Sequence, residues 1–466
     1  MIKAHNFPPQ YEKIVDLLRG YRAYLVGGAV RDALLNRPIH DLDFALPKDT
    51  IPAARLVADQ LGGDFFILDS ARDTCRIILN AETDQRLVVD FTLFQGKDIE
   101  EDLASRDFTI TSMAIGLEEE DELVDLFHGA RDLEEGLIRA TSKSALKDDP
   151  VRCLRAVRLA AQLAFRILPE TREQIQRNQR QLTEVSPERK RDELFRILAG
   201  PNQSAAVGSL QVLGLDSYVL PGEISAHRPG RLRNLETLWT LFLQEHDQER
   251  AASWSKGTLI HHLGRYRENI REFLDCEWVP GRSVYQLTFL MSLLIDLFNR
   301  EGGLKSEQIT DCIPLSNQEA AFLLQGIQSS QNWLGYPDGN QKDPALTVHR
   351  YFGEFGQAGL AGILISLGEN LHEQREKKEQ QSWITSLEQA RFFLEGYWDR
   401  YAEWVDPPSL LDGNDIQQAF QIPPGPEIGT MLATLREEQV RGGLTHKKEA
   451  LEFLRGHLPL SGRSSS

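Results

Sequence analysis

Two short segments near the start of the chain combine residue types and spacing suited to phosphate chemistry. Asp41-Leu42-Asp43 sets two carboxylates two positions apart, and in a β-strand residues i and i+2 share one face. Carboxylates held that close ionise together comfortably only with a cation between them. Mg²⁺ prefers such hard oxygens together with substrate phosphates. Upstream lies Gly27-Gly28-Ala29-Val30-Arg31-Asp32. A glycine pair lets backbone approach a phosphate closely, the N–H groups at a helix start favour an anion, and Arg31 adds a charge-assisted contact. Taken singly, each segment has a plainer reading, a solvated strand end and a structural turn. Together, in this order, they point to metal-dependent nucleotide chemistry. Asp90 interrupts the apolar run from Arg86 to Phe94. A charge there is costly unless paired or metal-facing, which leaves two readings, a third active-site carboxylate or an ordinary strand-edge residue.

The elements that must position these groups follow from pattern. Tyr24-Leu25-Val26 reads as a strand running into the glycine pair, Ala29 to Leu35 as a helix, and Asp41 to Ala45 as a strand. Thr50-Ile51-Pro52 predicts a helix start, with Gly62-Gly63 ending that helix. Phe65 to Leu68, Cys75 to Leu79 and Arg86 to Phe94 are rich in β-branched and aromatic residues and predict further strands. From Asp148 the period becomes helical, with Val151, Leu154, Val157, Leu159 and Leu163 interleaved with Arg152, Arg155 and Arg158. Ser186-Pro187-Glu188 has the chemistry of a helix N-terminus. The remainder to about residue 400 reads as helical, with turns or linkers at Arg228-Pro229-Gly230 and over 338–343.

Composition bounds the class. The chain has 466 residues and a formal net charge of −17, room for roughly two to four domains at about 100–200 residues each. No apolar run reaches the length of about 18–20 residues a membrane helix needs, so no membrane partner is expected. The first residues lack the basic and apolar regions of a secretory signal. Cys75, Cys153, Cys276 and Cys312 show no CxxC spacing, which argues against zinc and disulfides and predicts a cytoplasmic protein. The acidic balance argues against indiscriminate duplex binding, though not against a local basic patch.

Leu25-Val-Gly-Gly-Ala-Val-Arg-Asp32 followed by Asp41-Leu-Asp43 resembles the signature of the class II tRNA nucleotidyltransferase and bacterial poly(A) polymerase family. Further blocks agree in order. Glu101 to Ser112 resembles the family's DLxRRDFTxNA block, Asp148 to Arg158 its nucleotide-reading helix, and Ser186 to Leu194 the start of the next helix. Leu411 to Ile416 and Pro424 to Gly429 are similar to a tail segment of these enzymes.

The resemblance implies an α+β chain. An N-terminal nucleotidyltransferase (polymerase-β-like) head with a small mixed sheet would occupy 1–140, and an all-α neck 141–215, body 216–400 and tail 401–466. Asp41 and Asp43 would hold Mg²⁺. Gly27, Gly28 and Arg31 would bind the triphosphate, with Arg106 supporting the nucleotide. Asp149 and Arg152 would present a donor–acceptor pair to the base edge, so that the protein selects the nucleotide without a template. Arg155 and Arg158 would extend that positive face towards phosphates. Arg189, Lys190 and Arg191, with Lys447 and Lys448, would form a basic strip for tRNA. The implied reaction is transfer of CMP and/or AMP from CTP and/or ATP to the tRNA 3′ end, in synthesis or repair of the CCA end, by two-metal nucleotidyl transfer.

Two departures from the pattern matter. Ser105 and Thr111 stand where the family has Arg and Asn, and only Gln95 to Glu100 separates the last apolar strand from the next block. Many members carry a long loop there, linked to the switch from C to A addition. Its shortness predicts a partial activity, CC-only or A-only, with a partner enzyme for the complementary step. A poly(A) polymerase and a non-catalytic RNA-binding relative remain as alternatives. Leu287 to Asp296 resembles a helix of an HD phosphohydrolase, but Ile295 replaces the metal-binding His. His261-His262 is therefore expected to be a surface or packing pair, without phosphohydrolase activity.

Overall fold

A computed structural model describes residues 7–80, 86–118, 122–222, 228–243, 254–298, 306–333, 343–371 and 377–457. The chain forms two compact units, Met1–Glu223 and Ile224–Ser466. The expected head (1–140) and neck (141–215) lie within the first and the tail (401–466) within the second; the division falls inside the expected body (216–400), eight residues after its start.

The first unit is built on a mixed seven-stranded sheet of order β3-β4-β5-β2-β1-β6-β7. Its strands are β1 (Tyr24–Val26), β2 (Asp41–Leu46), β3 (Asp64–Asp69), β4 (Thr74–Leu79), β5 (Leu87–Leu93), β6 (Ala114–Gly116) and β7 (Leu123–Val124). Only β2 and β5 run parallel. Alternation decides which side is buried. Leu42 and Phe44 of β2, Cys75, Ile77 and Leu79 of β4, and Leu87, Val89 and Phe91 of β5 are all buried. Their outward neighbours Asp41, Asp43, Arg76, Ile78, Val88 and Asp90 stay partly open. On the buried side α3 (Thr50–Leu61) packs on β3, β4 and β5 through Ala53, Ala54, Val57 and Ala58. Each fully buried large apolar side chain contributes about 1.5–3 kcal/mol; the Phe44 and Phe91 rings, 5.4 Å apart, anchor this layer.

Shorter helices complete this part of the unit: α1 (Tyr11–Leu17), α2 (Gly28–Leu34), α4 (Ile99–Ser105), α5 (Gly129–Glu135) and α6 (Ala145–Asp148). The helical extension follows with α7 (Arg152–Leu163), α8 (Pro169–Asn178) and α9 (Pro187–Ala199). Ser186 caps α9 as its sequence predicts, accepting the Arg189 N–H at 3.5 Å. A tight turn over Thr109–Thr111 is buttressed by α5: Thr109 donates its hydroxyl to Asp132 at 2.6 Å. The Asp125 carboxylate accepts the N–H groups of Gly129 (2.7 Å) and Ala130 (3.0 Å).

The second unit is helical, with one departure from expectation: Glu277–Val279 and Arg282–Ser283 form an antiparallel strand pair. A second correction concerns Arg228-Pro229-Gly230, expected as a turn. These residues begin the helix Arg228–Leu243, and proline is compatible with a first helical turn, where its missing N–H has no partner to lose. Of the expected linker over 338–343, only Asp343 lies within the described residues, at the N-cap of Pro344–Phe355. Ile295 is buried within Val284–Phe298, and His262 Nδ1 lies 2.8 Å from the Thr258 carbonyl of its own helix. The tail packs around Leu411, Ile416, Ile428, Met431, Leu435 and Leu454. No helix among the described residues is long and apolar enough to cross a membrane.

Gly129 sits where a Cβ would lie 2.2 Å from the Thr109 carbonyl oxygen, a backbone atom that cannot step aside. Gly129→Ala is therefore expected to destabilise the first unit by about 1–3 kcal/mol, the usual range for overpacking. A lowered midpoint in urea unfolding followed by circular dichroism is the readout.

Candidate active site

The register of the parallel pair β2–β5 sets Asp43 directly beside Asp90, with Asp41 two residues before on the same face. Burial and mutual repulsion act on these groups. Burial, then Asp90, push the Asp43 carboxyl up to about 6, with Asp41 adding to the rise and Arg106 opposing it. Burial and Asp90 likewise raise Asp41. Asp90 is held by a two-pronged pair with Arg76 of β4, Nε to Oδ1 at 2.7 Å and Nη2 to Oδ2 at 2.8 Å. Arg76 carries the same signal as Asp90, a charge in an apolar strand, and sequence reasoning passed over it.

A cavity of about 740 Å³ opens above this row. Gly27, Gly28, Arg31, Asp41, Asp43, Asp90, Arg106, Arg152, Arg155 and Arg158 all line it. Gly27 has φ +73°, and a Cβ there would lie 3.3 Å from both Arg106 Nη1 and Asp43 Oδ2. A side chain there would adopt a strained backbone conformation and press on the carboxylate, so glycine suits this close passage. Arg106 is aimed by buried Asp102, which accepts its Nε at 3.0 Å and Nη2 at 2.9 Å. Arg31 is clasped by its neighbour Asp32 through Nε (2.9 Å) and Nη2 (2.7 Å); its Nη1 has no partner among the described residues.

The arginines of α7 differ from expectation. Arg155 and Arg158 line the cavity, yet their guanidiniums are committed to acids rather than left for phosphates. Arg155 bridges Asp107 (3.0 Å) and Glu193 (3.4 Å), and Arg158 pairs with Glu193 at 2.8 Å. Arg196 adds a third cation to Glu193 at 3.0 Å. Burial alone would raise the Glu193 carboxyl, but Arg158 and Arg155 hold it below the usual range. Asp107 is similar: burial opposes ionisation, while Arg155, the Thr111 hydroxyl and the Phe108 N–H hold it low. Thr111, one of the departures from the family pattern, donates to Asp107 at 2.6 Å. The other, Ser105, presents its carbonyl to Arg152 Nη2 at 3.0 Å.

Asp149 does not line the cavity. Its Oδ2 lies 3.9 Å from Arg152 Nε and accepts Arg189 Nη2 at 2.8 Å. Its Oδ1 is buried and has no hydrogen-bond partner among the described residues. The expected RNA strip is corrected here. Arg189 turns back to Asp149, and Arg191 is largely covered and paired with Asp192 at 2.7 Å. Lys190 has no ion pair among the described residues. In the tail, Lys447 pairs with Asp415 at 2.6 Å, and Lys448 lies 4.0 Å from Glu452.

The carboxylate face suits a hard divalent cation. Among the described residues no group of three or more His, Cys, Asp or Glu is placed to hold a metal by itself. A cation on Asp41 and Asp43 would thus need further oxygens from substrate and water, as Mg²⁺ commonly does.

Residues 23–139 match the poly(A) polymerase head domain, and residues 164–225 match a probable RNA- and SrmB-binding site of polymerase A. The CC-adding tRNA nucleotidyltransferase of Geobacter sulfurreducens is 30% identical over 447 residues, 93% of this chain and 92% of the relative. The chain belongs to the tRNA nucleotidyltransferase family. A CCA-adding enzyme of Streptococcus pneumoniae is 32% identical over 364 residues, covering 74% of this chain and 85% of that one. Among solved structures, a CCA-adding enzyme in its apo form I superposes with a TM-score of 0.66 at 21% identity, covering 99% of this chain and 97% of the other. That likeness shows the tRNA nucleotidyltransferase fold along the chain.

Glu193 is the acid on which three arginines converge. Glu193→Ala would leave Arg158 and half of the Arg155 bridge without their counter-charge, and about 3 kcal/mol of stability is expected to go with it. Faster amide hydrogen exchange along α7 and α9, relative to wild type, would register the loss.

Proposed function

We propose that this chain is a template-independent nucleotidyltransferase that adds CMP from CTP to the 3′ end of tRNA, building CC and leaving the terminal A to a partner enzyme. The observation that carries the reaction class is the carboxylate pair Asp41 and Asp43, open to a cavity whose farther wall is arginine-rich. Mg²⁺ bound by Asp41, Asp43 and the triphosphate would lower the pKa of the attacking 3′-hydroxyl and offset charge at the reacting phosphorus. The protein's own groups do the rest. Gly27 and Gly28 let backbone approach the phosphates. Arg31 and Arg106 exchange their partners Asp32 and Asp102 for phosphate oxygens. Asp90, locked to Arg76, positions the carboxylate row and adds the repulsion that makes a cation welcome.

Base selection falls to Asp149 and Arg152. The buried Asp149 Oδ1, unpartnered among the described residues, needs a donor, which the exocyclic amino group of cytosine would supply. Arg152, whose Nη1 and Nη2 donate to the Ala145 and Ser105 carbonyls, would give up one of these to donate to the neighbouring ring acceptor. Adenine offers the same donor–acceptor order on its pairing edge, so the choice of step rests on another feature. The connection from β5 to α4 spans only Phe94 to Asp98 and is pinned at both ends: the Gln95 N–H donates to Asp102 at 2.9 Å, and the Lys97 N–H to Glu101 at 3.0 Å. Where the family's longer loop accompanies the change to A addition, this chain has a fastened turn. The cysteines form no disulfide among the described residues, which supports a reducing, cytoplasmic setting.

The assay uses three tRNAs, one lacking CCA, one ending in CC and one complete, with CTP and ATP supplied separately. Both C residues should be added to the first, and nothing to the second or third. AMP transfer to the CC-ended tRNA assigns the A step instead, full CCA synthesis removes the division of labour, and long A tracts on generic RNA favour a poly(A) polymerase. Asp43→Ala should lower CMP transfer about a thousandfold or more, several kcal/mol of lost charge stabilisation; undiminished transfer would refute the carboxylate assignment.

A further inference from the structure

The open face of the sheet continues past the carboxylates. Strand register carries one row across four strands, from Asp43 on β2 to Asp90 on β5, Arg76 on β4 and Phe66 on the edge strand β3. The adjacent row runs Asp41, Val88, Ile78 and Asp64. Since α3 packs on the opposite face, this side presents Phe66, Ile78 and Val88 beside the catalytic centre. Phe66 is 47% exposed. Its neighbour Phe65, on the covered face, lies under the Arg55 guanidinium at 4.6 Å; Phe66 has no ring or cation contact among the described residues. Arg76 is spent on Asp90 through Nε and Nη2, while its Nη1 has no partner among the described residues.

The chemistry says what passes over this surface. The triphosphate groups Gly27, Gly28 and Arg31 follow β1, which flanks β2 on the side away from β5. In-line displacement sets the attacking hydroxyl opposite the departing pyrophosphate. The RNA strand therefore reaches Asp43 from the other flank, across β5, β4 and β3. Three strand spacings of about 4.8 Å separate Asp43 from Phe66, within reach of the unpaired nucleotides next to the reacting end. An exposed aromatic ring beside an arginine is the surface single-stranded nucleic acid uses for stacking and phosphate contact.

We propose that Phe66 is a stacking platform for an unpaired nucleotide just upstream of the acceptor RNA's 3′ terminus, with Arg76 Nη1 meeting the adjoining phosphate. This rests on the transferase reading above and deepens it: Phe66 is a positioning residue that holds the strand while β2 carries out the reaction. The ring acts on RNA and not on the incoming nucleotide.

The test joins steady-state CMP transfer to tRNA lacking CCA with equilibrium binding of a tRNA-acceptor minihelix bearing unpaired 3′ nucleotides, measured without CTP. Phe66→Ala should raise both the KM for tRNA and the minihelix Kd about tenfold, the usual scale for one stacked base. Its kcat and its KM for CTP should stay within about twofold of wild type, Phe66→Tyr should restore RNA affinity, and Ile67→Ala, equally exposed on the opposite face, should change nothing. Unaltered RNA affinity in Phe66→Ala, an equal loss in Ile67→Ala, or no recovery in Phe66→Tyr overturns the platform. Wild-type protein that transfers no CMP refutes the functional reading instead, and the binding arm then decides the platform by itself; failure of wild type to bind the minihelix overturns it.

Discussion

Three carboxylates share one face of the sheet because β2 and β5 run parallel with Asp43 opposite Asp90. That register sets the terms for everything around it. Like charges at cross-strand distance destabilise a sheet, and here the strain is absorbed on one side by Arg76, which neutralises Asp90, and on the other by Arg106, which faces Asp43. The buried face compensates: Leu42, Phe44, Val89 and Phe91 sit fully covered, so the strands are held in register by the hydrophobic layer regardless of what the acids prefer. A one-residue slip would carry the acids into that layer and the apolar side chains out of it. The site is therefore kept assembled by packing beneath it, with its unfavourable charge turned towards the cavity.

The second constraint joins the sheet to the helices. Asp107 follows directly on Arg106, and through Arg155 it is linked to Glu193 of α9. One chain of ion pairs thus ties the turn that bears Arg106 to the helices that follow Asp149 and Arg152. Buried ion pairs add little net stability compared with apolar packing, but breaking one is costly. Their value here is positional: they fix the spacing between the segment that bears Arg106 and the helix that bears Arg152.

Much of this was legible from the sequence where local rules govern. Strand alternation revealed the face shared by Asp41 and Asp43, the glycine pair located the close backbone approach, and Ser186-Pro187 marked a helix start. The partners of the arginines were not legible. Arg155 and Arg158 carry the spacing of a phosphate-facing ladder, and only the packing of α9 against α7 shows that Glu193 consumes them. Arg189 likewise reads as part of a basic strip until the fold brings it to Asp149. Phe66 was hidden for the opposite reason: in a run of apolar residues nothing local distinguishes the ring that is covered from the one that is not.

The pairing of nearly every cavity arginine with an acid also bears on the net charge of −17. A row of bare guanidiniums would attract any polyanion, duplex or single-stranded, through its phosphates alone. With Asp32 on Arg31 and Asp102 on Arg106 through Nε and Nη2, a phosphate that takes those two nitrogens must displace a carboxylate, and the exchange returns little unless the displaced acid finds another cation or water. A triphosphate arriving with its divalent ion would meet that condition on the proposed reading, since it would bring positive charge to Asp41 and Asp43 while its oxygens took over the arginines. RNA phosphates alone would not. On the proposed reading the acidic chain would discriminate by charge exchange rather than by attraction, and the acceptor strand would be held chiefly by the exposed Phe66 ring beside the carboxylate row, with the open Nη1 of Arg76 meeting a phosphate next to it.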